Sequence, residues 1–267
     1  MRLREGRIMT QTCIHYAEPG ARPGAPPLLL LHGTGGDERD LVPLARRVSP
    51  GSEILSLRGQ VLERGMPRFF RRLSEGVFDE ADLMTRADDL AAFVTEWRRT
   101  HPGERFTALG YSNGANIAAA LLLLHPGLLS GAVLMRAMAP LATPPAPDLA
   151  GTRVLMLSGA QDPIVPLAWR TALERSLRNT GAEIENRVHD AGHGLVDDDL
   201  TSAARWLGGS STARIISMAK RRADVVGIFP NDAAIAPPTI LQLFSGKCCC
   251  DVILCTHDMA KVFGLAC

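Results

Sequence analysis

The first chemistry legible in this chain is a serine pinned between glycines: Gly110, Tyr111, Ser112, Asn113 and Gly114, after an apolar lead-in and before the long apolar run ending LLLLHP. A serine hydroxyl is a weak nucleophile near neutral pH and needs an adjacent base, itself oriented by a carboxylate. In a strand-to-helix reversal this tight the serine is forced into a strained backbone, and side chains two residues before and after it would collide. Gly110 and Gly114 satisfy that demand. The following helix turns its unpaired N–H groups and positive dipole end toward the hydroxyl, where negative charge would develop. The other use of Ser112 would be as a helix cap in a glycine-rich turn.

A nucleophile reading requires a base and a carboxylate elsewhere. SGAQDPIVP places Asp162 just past an apolar strand, although Asp before Pro163 also suits a simple turn. HDAGHGL sets His193 between Gly192 and Gly194 after another strand, whereas His189 falls at the strand's end and suits local packing. His15, His101 and His125 read as surface or capping residues. Asp190 and the run Asp197, Asp198, Asp199 are rival carboxylates, but the run opens a helix, where acidic side chains suit the dipole. Acyl transfer also needs preplaced donors for an oxyanion. The loop His32, Gly33, Thr34, Gly35, Gly36 after LLLL supplies a permissive backbone, and the expected donors are the N–H groups of Thr34 and Asn113. A phosphate-binding reading of that loop fails, because no lysine follows at P-loop spacing and G-x-G-x-x-G is unmatched.

These residues must be positioned by a scaffold, and the apolar runs indicate which. Strands are expected at 14–17, 28–31, 54–57, 106–109, 132–135, 154–157 and 184–188, with helices at 38–48, 82–99, 113–124, 166–179 and 198–207. Strand and helix alternate throughout, which implies a mostly parallel central sheet with helices on both faces and ligands bound beyond the carboxyl ends of the strands. One connection, 58–82, is longer than the rest. It mixes Met66, Phe69, Phe70 and Phe78 with Arg68, Arg71 and Arg72, as a small cap over the strand ends would, or a surface loop with its own apolar cluster. Met66, Phe69 and Phe70 are candidate acyl-pocket walls. Arg58, just past a strand, could contact an acidic substrate group or serve as a structural ion-pair partner.

The chain has 267 residues, 46% hydrophobic and 21% charged, with a formal net charge of +1. Such a chain supports one α/β domain and provides no global field for nucleic acid or an anionic membrane. The N-terminus carries basic residues without the apolar stretch of a secretory signal, and no run reaches bilayer-spanning length, so a cytoplasmic location without membrane association is expected. The expected organisation is one α/β domain over 1–208 and a C-terminal extension over 209–267. Cys248, Cys249, Cys250, Cys255 and Cys267 crowd that extension without paired C-x-x-C spacing, so no metal site is expected there. Packing on the domain or supporting a homodimer is the expected role of the extension; a segment dispensable to the enzyme is the alternative.

With the order Ser112, Asp162, His193, the chain resembles the serine α/β-hydrolases. More narrowly, LLLLHGTGGDERDL, LRGQ, GYSNGANIAAALLLLHP and AGHGL are similar to the phospholipase/carboxylesterase family of small esterases, relatives of the dienelactone hydrolases, over about residues 10–207. The resemblance implies the α/β-hydrolase fold and hydrolysis of small carboxylic esters through a serine acyl-enzyme, with no cofactor and no metal. Dienelactone hydrolases carry a cysteine nucleophile where this chain has Ser112. Acyl-protein thioesterases usually have Gln where Asn113 stands, which leaves thioester or lysophospholipid hydrolysis as alternatives. A non-catalytic relative that binds a small ligand is the alternative outside enzymes.

Overall fold

Four consecutive leucines, Leu28 to Leu31, are each 0% exposed. A run apolar on both sides can only be a strand covered on both faces, and the alternation of side chains along a strand then feeds two cores at once. Leu29 and Leu31 join one apolar cluster, Leu28 and Leu30 the other. Each buried leucine contributes about 1.5–3 kcal/mol relative to exposure.

The computed structural model describes residues 13–74 and 76–209. In chain order its strands are β1 (His15–Glu18), β2 (Leu28–Leu31), β3 (Ile54–Leu57), β4 (Val61–Glu63), β5 (Met66–Arg68), β6 (Arg72–Ser74), β7 (Val77–Phe78), β8 (Thr107–Tyr111), β9 (Gly131–Met135), β10 (Arg153–Gly159) and β11 (Glu183–His189). The helices are α1 (Val42–Val48), α2 (Glu80–Thr100), α3 (Asn113–Leu124), α4 (Leu167–Arg178) and α5 (197–209). Seven strands form one sheet in the order β1-β3-β2-β8-β9-β10-β11. Every neighbouring pair is parallel except β1 with β3. The carboxyl ends of β2, β3, β8, β9, β10 and β11 therefore share one edge of the sheet.

Helices cover both faces. The larger cluster takes Leu83, Leu90 and Val94 of α2, Ile117 and Leu121 of α3, and Leu173 and Leu177 of α4. The smaller takes Val42, Ala45 and Val48 of α1, together with Ala203, Trp206 and Leu207 of α5. Helix α2 is amphipathic and capped at its start, where an Asp79 carboxylate oxygen accepts the backbone N–H of Asp82 at 3.1 Å. Helix α3 is buried nearly all round, as its unbroken apolar sequence requires.

The long connection after β3 is built as two hairpins, β4 with β5 and β6 with β7. The first turns through Arg64 and Gly65 at φ 52° and 81°, the pair of positive angles that a two-residue hairpin demands. Among the described residues no helix is long and apolar enough to cross a membrane. Helix α5 runs to residue 209, one residue into the expected extension, whose remaining residues 210–267 with their five cysteines lie outside the described residues.

Candidate active site

Ser112 sits between β8 and α3 with φ 52° and ψ −116°, a conformation that L-residues rarely adopt. Its backbone is held there because its N–H donates to the Met135 carbonyl at 2.9 Å and its carbonyl accepts from Asn116 N–H at 3.0 Å. The flanking glycines are required by contact. A Cβ on Gly110 would lie 2.7 Å from Ala115 Cα, and one on Gly114 would lie 1.9 Å from the Leu31 carbonyl oxygen. Helix α3 thus packs directly onto the end of β2, and the strand-turn-helix expected from the spacing is present.

The loop after β10 brings Asp162 and the loop after β11 brings His193 to this turn. His193 Nδ1 lies 2.8 Å from Asp162 Oδ2, and His193 Nε2 lies 2.9 Å from Ser112 Oγ. A carboxylate only accepts, so Nδ1 carries the proton and Nε2 offers its lone pair to the serine hydroxyl. Asp162 makes contacts of both kinds: its other oxygen, Oδ1, accepts the N–H groups of Ile164 at 2.8 Å and Val165 at 3.1 Å. The turn use fixes the carboxylate, and the remaining oxygen faces the imidazole. His189 stays outside this chain of bonds, 3.4 Å from Ser202 Oγ.

The loop 32–36 lies beside the same turn. His32 is 1% exposed, its Nε2 accepts Gly59 N–H at 2.9 Å, and its Nδ1–H therefore donates to the Gly33 carbonyl at 2.6 Å. The N–H groups of Gly35 and Gly36 are committed to the carbonyls of Pro67 and Gly33. Asn113 opens α3, where helical N–H groups have no partner within the helix. Its side-chain Oδ1 accepts Phe69 N–H at 2.8 Å, and Thr34 Oγ1 accepts from Arg68 at 2.9 Å. The β4–β5 hairpin is thereby fastened to both expected oxyanion residues.

Burial holds His32 below the ordinary histidine range, so the folded protein keeps it neutral. The unfolded chain protonates it near its ordinary value of about 6.5 and so takes up the proton first as pH falls. The stability that neutral His32 provides is complete above roughly pH 6.5 and is lost progressively on acidification. Thermal melts from about pH 7.5 down to about pH 5 should show a falling Tm. His32→Gln keeps an acceptor for Gly59 N–H but does not titrate, and its Tm should fall less steeply over the same range. An equal slope would remove His32 as the cause.

The residues expected to contact substrate divide. Met66 is 39% exposed and stands over Gly35. Phe69 and Phe70 are 2% and 0% exposed. Phe69 packs on the His32 ring and Phe70 on Phe78, so both belong to the core beneath the cap, which corrects their reading as acyl-pocket walls. Arg58 takes its structural alternative: Nε donates to Glu38 at 2.5 Å, with Asp37 at 3.7 Å. That hydrogen bond holds the Glu38 carboxyl below its usual range.

A further pair was not anticipated. Arg136, just past β9, and Asp199, in α5, form an ion pair at 2.7 Å with both side chains 0% exposed. Asp199 lies in the first turn of α5, as the run Asp197 to Asp199 predicts, and its side chain is also buried. The available signal was Arg136 itself, one charge directly after the apolar GAVLM.

Comparison with known proteins agrees with this architecture. The family model described as "Serine aminopeptidase, S33" matches residues 76–151, and that described as "TAP-like protein" matches residues 135–205. MhqD of Bacillus subtilis (strain 168), a protein named as a hydrolase, is 46% identical over 181 residues, covering 67% of this chain and 90% of MhqD. The crystal structure of the Bacillus cereus carboxylesterase superposes with a TM-score of 0.73 at 42% identity, covering 75% of this chain and 96% of that one. The Mesorhizobium loti carboxylesterase gives 0.66 at 38% identity, covering 70% and 92%. The chain therefore belongs to the serine α/β-hydrolases and is a hydrolytic enzyme of their phospholipase/carboxylesterase family.

Proposed function

We propose that this enzyme hydrolyses small carboxylic esters of short or medium acyl chain, with Ser112 as nucleophile, His193 as general base and acid, and Asp162 as the group that orients and steadies the imidazole. The observation that carries the reading is the unbroken hydrogen-bond chain from Ser112 Oγ through His193 to Asp162, at 2.9 and 2.8 Å. Its support is geometric, because a base must lie within hydrogen-bond reach of the proton it removes.

The reaction follows from the geometry. His193 Nε2 takes the proton as Ser112 Oγ attacks the ester carbonyl carbon, and the carbonyl oxygen becomes an oxyanion. The backbone N–H groups of Thr34 and Asn113 receive that charge. Gly35 and Gly36 are excluded as donors by their bonds to Pro67 and Gly33. Collapse of the intermediate expels the alcohol, protonated by His193, and leaves an acyl ester on Ser112. Water, deprotonated by His193, attacks that ester in turn, releases the acid and restores the serine. Met66 is our candidate for touching the acyl group, a reading supported by its exposure and its position beside Gly35 of the 32–36 loop.

The test combines a fluorophosphonate with a ladder of p-nitrophenyl esters from acetate to decanoate, set beside matched acyl-thioesters. The expected result is a single adduct mapped to Ser112, with oxygen esters of short or medium chain turned over fastest. An adduct at another residue would overturn the nucleophile assignment, and faster turnover of thioesters would replace the esterase reading with a thioesterase one.

A further inference from the structure

The loop that carries His193 contains glycine on both sides of the histidine, an arrangement with little stiffness of its own. In the structure it is nonetheless fixed at three consecutive carbonyls by two side chains, one from the last residue of β8 and one from the first residue beyond β9. Arg136 Nε donates to the Gly192 carbonyl at 3.0 Å and Nη2 donates to the Gly194 carbonyl at 2.8 Å. The Tyr111 hydroxyl donates to the carbonyl of His193 itself at 3.0 Å. Burial pushes the Tyr111 phenol above its ordinary range, so the hydroxyl keeps its proton.

The guanidinium is used to its limit. Arginine has five N–H donors in a rigid planar fork. Besides the two glycine carbonyls, they meet the Leu157 carbonyl at 3.3 Å and both oxygens of Asp199, at 3.0 and 2.7 Å. Asp199 Oδ2 also accepts Val196 N–H at 2.9 Å, which ties the outgoing end of the same loop. A buried charge pair is a weak source of stability compared with apolar packing, so its contacts are the better guide to its use. Two of the five donors grip the residues flanking the histidine. Arg136 itself holds a positive φ of 57°, a backbone cost that places its side chain under the loop.

We propose that Arg136 and Tyr111 are positioning residues for His193, with Asp199 locking the Arg136 fork. Together they set the height and direction of the imidazole, so that Nδ1 meets Asp162 and Nε2 meets Ser112 at the same time. The inference rests on His193 acting as the general base. Neither residue moves a proton; Arg136 acts through the backbone of the loop, and Tyr111 through that backbone and a tilted ring contact with the imidazole, centroids 5.5 Å apart.

Two variants test it. Arg136→Lys keeps the charge but, as a point donor, cannot span both glycine carbonyls, and Tyr111→Phe deletes one oxygen from a half-buried ring. For Arg136→Lys the expected loss in kcat on p-nitrophenyl butyrate is about 100-fold, the scale of a misplacement near 1 Å. For Tyr111→Phe it is about tenfold, the scale of one hydrogen bond. KM should be unchanged in both. The downfield proton NMR signal of the His193 Nδ1–H bonded to Asp162 should broaden or vanish, a readout that general loss of stability does not move in a protein still folded at the assay temperature. Wild-type kcat with an intact signal in a folded variant overturns the proposal, as does a loss confined to KM. If Arg136→Lys fails to fold, Tyr111→Phe decides alone on the same criteria. Failure of the underlying reading is separately visible, because the wild type would then take no fluorophosphonate at Ser112.

Discussion

Ser112→Ala should lower kcat/KM on p-nitrophenyl butyrate by about 10⁴-fold or more, while the melting temperature stays close to that of the wild type. The asymmetry between those two outcomes follows from what the side chain touches. Ser112 Oγ bonds to His193 Nε2, and the backbone bonds that hold the turn, from Ser112 N–H to Met135 and from Asn116 N–H to Ser112, survive the substitution. Alanine retains a Cβ, so the strain of φ 52° is the same before and after. What disappears is the covalent route. The preplaced donors and the binding surface remain and sustain the residual rate of about 10³–10⁴ over water that such sites retain without their nucleophile. The measurement needs protein free of host esterase, purified beside a mock preparation. Activity within tenfold of wild type in that comparison would mean that the ester bond is broken elsewhere.

How much of this could be read in advance differs element by element, for physical reasons. Strands β2 and β3 and helix α3 coincide with the expected ranges 28–31, 54–57 and 113–124, since a segment buried on every side is mostly apolar and its apolar run marks its extent. Helix α1 was expected from 38 but begins at Val42, because the Asp37 side chain bonds Arg39 N–H and turns the chain, and Pro43 can sit only in a helix's first turn. The hairpins of the cap were unreadable as strands, being two or three residues long with charges in both registers. Ser112, Asp162 and His193 were legible because each stands within four residues of a strand's end and within two of a glycine or proline. Arg136 with Asp199 was not: a pair separated by 63 positions becomes visible only once α5 is packed against the sheet.

The orientation of Asp162 makes its own prediction, and the loss should approach that of Ser112→Ala. Asp162→Asn preserves shape and volume but exchanges one acceptor for a donor. The two backbone N–H groups of Ile164 and Val165 point at Oδ1 and must be met by an acceptor, so the amide oxygen will occupy that position. The amide NH₂ then faces His193 Nδ1, 2.8 Å away in the parent enzyme. A donor there requires Nδ1 to accept, which moves the imidazole proton to Nε2 and points it at Ser112 Oγ. In that tautomer the histidine cannot take the serine proton, although every heavy atom is in place. The expected fall in kcat is about 10⁴-fold with little change in KM or melting temperature. A crystal structure of the variant should show the triad undisturbed, and the His193 Nδ1–H resonance should be absent. Asp162→Ala offers the contrast: it leaves both backbone N–H groups without the side-chain acceptor, loosens the 162–165 turn, and should cost stability of about 1–3 kcal/mol as well as rate. If Asp162→Asn keeps kcat within tenfold of wild type, the imidazole is oriented by its loop alone and the carboxylate serves only the turn.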